Sequence, residues 1–297
     1  MAARIFMERP YSERSNRLKG VALIVAGVSL FAGLDAAGKA LAEQLSVVQV
    51  VWSRYAFAVP VVLLTTPPAM WRRLFSVQRP LVQAVRGLLP VIASFSIVAG
   101  LGLLPLAEIT ALTFASPFLV VALSAPLLRE RTSIHDWIGV VLGFIGILVI
   151  VRPGLNALAW AAIFPLGCAF AFALFQLATR FVGRSDSPTA TFAWTIAVGL
   201  AVTTPLLLVE WRPVTPWLLF LMAVSGLCFG FAQYLLIRAF AIAPVALLTP
   251  FSYSQIVPAV IFGYIFWGSV PDLWTILGGG IVIAAGLYVL RWRVGRA

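Results

Sequence analysis

The sequence predicts an all-α membrane protein, ten transmembrane helices in two inverted five-helix repeats. Three observations predict it. Of the 297 residues, 62% are hydrophobic and 10% charged, against ~45–50% apolar and ~25% charged in a soluble domain. The excess is too large for a water-soluble core, and the charges are too few to coat a surface. The apolar residues fall into ten continuous stretches, each near the ~20 residues that cross a bilayer as a helix. The second half of the chain also echoes the first. Ten spans leave no length for a folded soluble domain. A cytosolic enzyme, a secreted disulfide scaffold and a free nucleic-acid-binding module are excluded.

The spans lie at 19–40, 46–66, 84–103, 105–128, 134–152, 158–180, 187–209, 217–241, 244–268 and 272–292. They are helices because lipid offers no partner to an unpaired backbone group. A β-barrel would need ~10-residue segments of alternating polarity, and these segments are longer and unbroken. Residues 1–18 and 293–297 are polar tails around a first repeat at 19–152 and a second at 153–292. The start of the chain lacks the short apolar run of a cleaved signal, and its Met-Ala opening does not fit the myristoylation pattern.

Orientation follows from the basic residues, which favour the cytoplasmic side. With the N-terminus in the cytoplasm, 17 of the 21 Lys and Arg fall on that side, Arg72, Arg73, Arg79 and Arg86 among them. Only 3 fall on the other side (Lys39, Arg152 and Arg212), and Arg54 lies inside span two. Both termini are therefore expected in the cytoplasm of a bacterial inner membrane. The net charge of +11 is a topology signal and not a nucleic-acid footprint.

The repeat is visible residue by residue. Pro105, Ala107 and Thr110 in LPLAEITALTFAS recur 139 residues later as Pro244, Ala246 and Thr249 in APVALLTPFSYS. Phe114 matches Tyr253 and Gly87 matches Gly226 at the same offset; Gly139 and Gly146 match Gly279 and Gly286 one residue further on. Five spans is an odd number, so the halves insert in opposite directions. Inverted repeats mark many secondary transporters, with the substrate site near the midplane between them.

These features together resemble the EamA-type drug/metabolite transporter superfamily. The likeness rests on ten spans with short loops and on the Pro-x-Ala segments that open spans four and nine. The Leu-Leu-Arg-Glu-Arg end of span four and the glycine-rich spans five and ten complete it. It covers residues 18–292 and implies export of small metabolites, amino acids among them. One departure stands out: Glu130 follows span four, whereas the matching place in the second half reads Trp267-Gly268-Ser269.

Spans four and nine hold the hinge candidates, Pro105, Pro117 and Pro126 against Pro244, Pro250 and Pro258. An interior proline removes a backbone hydrogen bond and kinks its helix. The same spans carry polar faces. Thr110, Thr113, Phe114 and Pro117 share one helix face by their spacing, and Thr249, Ser252, Tyr253 and Gln255 form the counterpart. Span eight adds Gln233 and Tyr234, and span six adds Phe172, Phe175 and Gln176. Hydroxyls and amides can hold a zwitterion, and rings can stack on an apolar side chain. The plainer use of the same hydroxyls and amides is hydrogen bonding between packed helices.

Charges inside spans are costly and usually functional. Asp35 and Lys39 are four residues apart on span one, Arg54 lies deep in span two, and Glu108 opens span four. Asp35 can pair with Lys39 along one side of span one or serve as a partner for Arg54, and Glu108 suits a first-turn acid or a cation contact. His135 is the single histidine, expected as an exposed or capping residue. Cys168 and Cys228 are small packing residues within apolar segments, and Gly139 with Gly143 permits close helix approach. Neither HExxH nor a phosphate-binding GxxxxGK[ST] is present, so no metal, cofactor or nucleotide-driven step is expected.

The sequence thus points to a secondary transporter exporting small metabolites, aromatic or other apolar amino acids in particular, by alternating access. A transporter of the same fold for nucleosides, sugars or cationic drugs is the alternative, and a membrane-embedded lipid enzyme is a remoter one. The expected partners are a small-molecule substrate and the lipid bilayer, with no nucleic acid, and the protein is a monomer or homodimer.

Overall fold

The computed structural model describes residues 9–128, 133–152, 159–182, 186–208, 210–242 and 248–294, without the side chains of 9–17, 72–73, 124–128, 180, 240–241, 249–250, 290 and 293–294. Span one is α1 (Arg9–Ala42), whose apolar part runs Leu18–Ala42. Span two is broken into α2 (Val47–Ala56) and α3 (Val59–Thr65). Ser46 starts α2 by accepting the Gln49 N–H at 3.3 Å, the usual work of an N-cap serine. Pro60 sits in the first turn of α3. It has no N–H for the carbonyl four residues back, so the chain restarts there. Span three is α4 (Pro80–Leu101).

Span four is broken at Phe114 into α5 (Leu106–Thr113) and α6 (Ala115–Leu128). The break falls three residues before Pro117, which cannot bond the Thr113 carbonyl. Span five is α7 (Ile134–Val151), entered through a capping box of Ser133 and Asp136. Span six is a short 3₁₀ turn at Ala159–Ala162 followed by α8 (Ile163–Val182). Spans seven and eight are α9 (Pro188–Leu207) and α10 (Pro216–Ile242). Proline opens each of these two because a first-turn N–H has no partner to lose. Span nine begins as a 3₁₀ segment, Thr249–Gln255, and becomes α11 (Ile256–Trp267). Span ten is α12 (Leu273–Val294). Among the described residues eight spans are long and apolar enough to cross a bilayer, and Phe251–Trp267 and Leu273–Val289 are shorter apolar helices.

The packing has the symmetry of the repeat. The first span of each half packs on the third span of the other half: α1 against α10, and α8 against α4. Likewise α2 packs on α10 while α9 packs on α4, and α7 packs on α12. The matched glycines Gly87 and Gly226 do equivalent work. A Cβ on Gly87 would meet Val198 of span seven at 2.8 Å, and one on Gly226 would collide with Phe57 of span two. Gly139 and Gly146 seat α7 against Val289, Gly278 and Val282 of α12, so they close the interface between halves within one chain; Gly143 seats Phe118 of α6.

Polarity is inverted relative to a soluble protein. Leu64, Ile134, Ile163, Trp217 and Phe266 lie on the outside, while the two largest fully buried side chains are Arg54 and Arg86. An apolar exterior around a polar interior is what a bilayer requires.

The end at which the chain begins is the near end, and the opposite is the far end. His135, expected as exposed or capping, does neither at the near end. Ser133 caps α7, and His135 stacks on Trp292 at 3.6 Å and meets the Tyr288 hydroxyl through Nδ1 at 2.8 Å. Flat imidazole on indole ties α7 to α12, which favours a half-buried ring over a solvated one. Glu130, Pro244 and Ala246 lie outside the described residues, as do the side chains of Pro126, Thr249 and Pro250.

Candidate functional site

A cavity opens between the halves, lined from α1, α2, α4, α5, α6, α8, α10 and the 3₁₀ segment of span nine. Its atom-free volume is about 970 Å³, the open space at its mouth included. Its walls are mostly apolar, with Phe31, Phe114, Phe172, Phe229, Ile97 and Leu236. A few polar groups converge on it: Asp35, Arg54, Ser94, Thr113, Ser116, Gln176, Gln233, Ser252 and Gln255.

Ten of the residues singled out from sequence thus come together on this cavity: Asp35, Arg54, Thr113, Phe114, Pro117, Phe172, Gln176, Gln233, Ser252 and Gln255. The others are placed elsewhere. The Thr110 hydroxyl donates to the Leu106 carbonyl in its own helix at 2.9 Å, and the break at Phe114 turns it off the cavity face. Phe175 stacks behind Phe172 with centroids 5.8 Å apart. Tyr234 meets Phe192 and the Arg238 guanidinium. Tyr253 lies behind the wall, edge-on to Phe114 with centroids 5.0 Å apart. These two are matched residues of the repeat, so the broken spans meet where their equivalents touch.

The charged residues separate into two places. Asp35 and Lys39 are neighbours on α1 but bond apart. Asp35 faces Arg54 at 3.6 Å. Lys39 reaches the far end, where its ammonium donates to the Leu101 and Leu104 carbonyls at 2.9 Å each and lies over the Trp267 ring. Trp267 donates to Glu43 at 3.0 Å. Lys39 therefore ties spans one, three and nine together rather than lining the cavity. Glu108 is buried near the far end, with Arg152 and Asp272 its charged neighbours. Arg152 and Asp272 themselves pair at 2.7 Å.

Several lining residues were not legible as candidates. Pro90, Ser94 and Phe229 reach the cavity, and the repeat held a signal, since Phe229 is the match of Pro90 at the 139-residue offset. Arg86, counted from sequence with the basic residues of the cytoplasmic side, is wholly buried. It donates through Nε to Thr179 at 2.8 Å and through Nη1 to the Thr195 hydroxyl at 2.8 Å and the Thr191 carbonyl at 3.1 Å. Its guanidinium covers Phe175 at 4.4 Å. The helix starts at Pro80, earlier than the predicted span, which puts Arg86 in the second turn facing α8 and α9. Among the described residues no group of three or more His, Cys, Asp or Glu side chains is placed to hold a metal.

The family model for EamA-like transporters matches residues 18–152 and again residues 159–291, once per half. The chain belongs to the EamA-like transporter family. It is 26% identical to an S-adenosylmethionine uptake transporter of Rickettsia prowazekii over 86% of this chain and 87% of that one. It is 29% identical to a riboflavin transporter of Rhizobium johnstonii over 65% of each. A pseudopaline exporter of Pseudomonas aeruginosa is 27% identical over 93% of this chain and 97% of that one. A solved crystal structure shares the fold, with a TM-score of 0.59 at 18% identity over 93% of this chain and 96% of that one. The EamA family and these relatives make the chain a multi-pass membrane transporter of small molecules and not an enzyme.

Proposed function

We propose that the protein exports amino acids with aromatic or other apolar side chains across the bacterial inner membrane by alternating access, with both termini in the cytoplasm. The observation that carries this is the cavity, whose walls combine four phenylalanines with a sparse set of hydroxyl, amide and charged groups from both halves. Rings receive an apolar side chain, and the polar set receives an ammonium and a carboxylate. The substrate-binding residues are Thr113, Phe114, Phe172, Gln176, Gln233, Ser252 and Gln255, with Asp35 and Arg54 beside them. The residues 19–152 and 153–292 move as two repeats. The breaks at Phe114 and at Thr249–Gln255 are the hinges, next to Pro117 and Pro258. In this cycle the far end, tied by Lys39, is one of the two gates. One chain encloses the whole cavity, so a monomer suffices.

Efflux from proteoliposomes loaded in turn with radiolabelled phenylalanine, leucine, alanine and a sugar tests this directly. Loss of phenylalanine and leucine above empty liposomes supports the proposal, and unchanged retention of every amino acid refutes it.

The relatives support a second reading, uptake of a nucleoside- or flavin-bearing compound, because two of those named here carry S-adenosylmethionine inward or carry riboflavin. Competition separates the two. Inhibition of phenylalanine flux by leucine but not by riboflavin or adenosine favours the amino-acid site.

A further inference from the structure

Two buried cavity residues hold polar atoms that nothing among the described residues satisfies. Arg54 and Gln233 are each 2% exposed, and both line the cavity. Arg54 Nε and Nη2 and Gln233 Oε1 have no hydrogen-bond partner among the described residues. Buried polar groups are nearly always paired, and each exception calls for an explanation, a bound group among them. The nearest carboxylate to Arg54 is Asp35 at 3.6 Å, beyond the ~2.7–2.9 Å of a charge-assisted bond. The guanidinium is nonetheless held in place. A Cβ on Gly38 would come within 2.8 Å of Arg54 Nη2, so the α1 backbone braces one side of the fork while Nε stays unfilled.

The surrounding charge adds a second argument. Asp35 is the one acid in the described lining. Behind the Phe172 wall sits Arg86, bound only by hydroxyls and a carbonyl in its described hydrogen bonds and lying over Phe175. Two guanidiniums and one carboxylate therefore act on the cavity, and in a low-dielectric site such an excess favours an anionic group.

We propose that Arg54 anchors the acidic group of the transported ligand, and that this acid is its obligatory recognition element. The ligand is a small carboxylate with an aromatic or branched apolar body. The body lies against Phe31, Phe114, Phe172 and Phe229, and an ammonium, when present, faces Asp35 and Gln233 Oε1. This rests on the transport function proposed above and specifies the chemistry of its site. An anionic lipid headgroup offers the same chemistry, and the test separates the two sources.

The test uses the full chain in phosphatidylcholine nanodiscs and measures calorimetric binding of 3-phenylpropionate, phenethylamine and phenylalanine. Both acids bind, and phenethylamine binds at least about tenfold more weakly, the loss of one charge-assisted contact. Arg54→Gln weakens both acids by a similar factor and abolishes the preference. Asp35→Asn leaves Arg54 intact without its competing carboxylate and tightens 3-phenylpropionate, which keeps the proposal testable if Arg54→Gln does not fold. Equal binding of phenethylamine, undiminished acid binding in Arg54→Gln, looser 3-phenylpropionate binding in Asp35→Asn, or no binding of either acid overturns it. Acid binding that disappears when phosphatidylglycerol is added to the discs assigns the anion to lipid and likewise overturns it. Arg54-dependent binding of 3-phenylpropionate, with phenylalanine neither bound nor exported, keeps this proposal and removes amino-acid export. Phenylalanine efflux unchanged by Arg54→Gln does the reverse.

Discussion

Lys39 and Gly38 are adjacent on α1; Lys39 ties the far end and Gly38 braces the cavity arginine. The Lys39 ammonium holds the Leu101 and Leu104 carbonyls, each bond to a charged donor contributing ~1.5–3 kcal/mol. Lys39→Met keeps the apolar stem and removes both bonds. In a background lacking Cys168 and Cys228, it should raise the rate at which an impermeant maleimide on the far side labels Thr113→Cys; an unchanged rate would show that Lys39 does not close that end. Gly38→Ala places a methyl 2.8 Å from Arg54 Nη2 and 3.2 Å from Leu101 Cδ1. Overpacking of this kind costs ~1–3 kcal/mol, so the apparent melting temperature should fall and transport with it. Equal melting and flux would mean that Arg54 is free to move. The sequence made the Asp35–Arg54 partnership legible, because a deep arginine and a nearby acid must find each other. It did not reveal which way Lys39 turns, since spacing on one helix says nothing of carbonyls on another. The burial of Arg86 was not legible for a related reason: linear position gives depth but not which neighbours the helix presents.

Spans four and nine are the elements on which the proposed movement depends. Each is interrupted rather than straight, and the prolines beside the breaks leave the Thr113 and Ser254 carbonyls without an i+4 donor. Pro117→Ala and Pro258→Ala should restore those bonds and slow efflux several-fold per mole of reconstituted protein while leaving expression near wild type. Wild-type flux in both would remove the hinge role. At the far end, partial burial pushes the Asp272 carboxyl up, but bonds from Thr275 and the Arg152 guanidinium outweigh it and hold it below its ordinary 3.8. A carboxylate held down in the folded state stabilises above its ordinary value, and that contribution is lost as pH falls through the depressed one. Asp272→Asn should therefore lower the melting temperature at neutral pH, with the difference closing as the medium is acidified below 3.8. A difference that persists there would locate the effect elsewhere than in the charge. The helices themselves were legible from apolar run length, and Pro105, Pro117, Pro244 and Pro258 marked the spans that break. The breaks themselves, at Phe114 and through a 3₁₀ segment, were not, because propensity fixes where a helix weakens and packing against Tyr253 and Gly286 fixes how it yields.

At the scale of the molecule, the inverted repeat explains both the fold and the position of the site. Equivalent helices exchange partners between halves, α1 with α10 and α4 with α8, which leaves a space on the axis that neither half fills alone. The 139-residue offset carried this information in the sequence. The chemistry of the space was less legible, since Phe31, Ser94 and Phe229 look like ordinary membrane residues until the halves are assembled. The central claim is that substrate occupies this space. Cys168 lines it and offers a native reporter. In a Cys228→Ser background, modification of Cys168 by a small permeant methanethiosulfonate should inhibit phenylalanine efflux from proteoliposomes, and excess phenylalanine should slow that modification. Modification at an unaltered rate in saturating phenylalanine, with efflux still running, would contradict the account by placing the transport path outside the cavity.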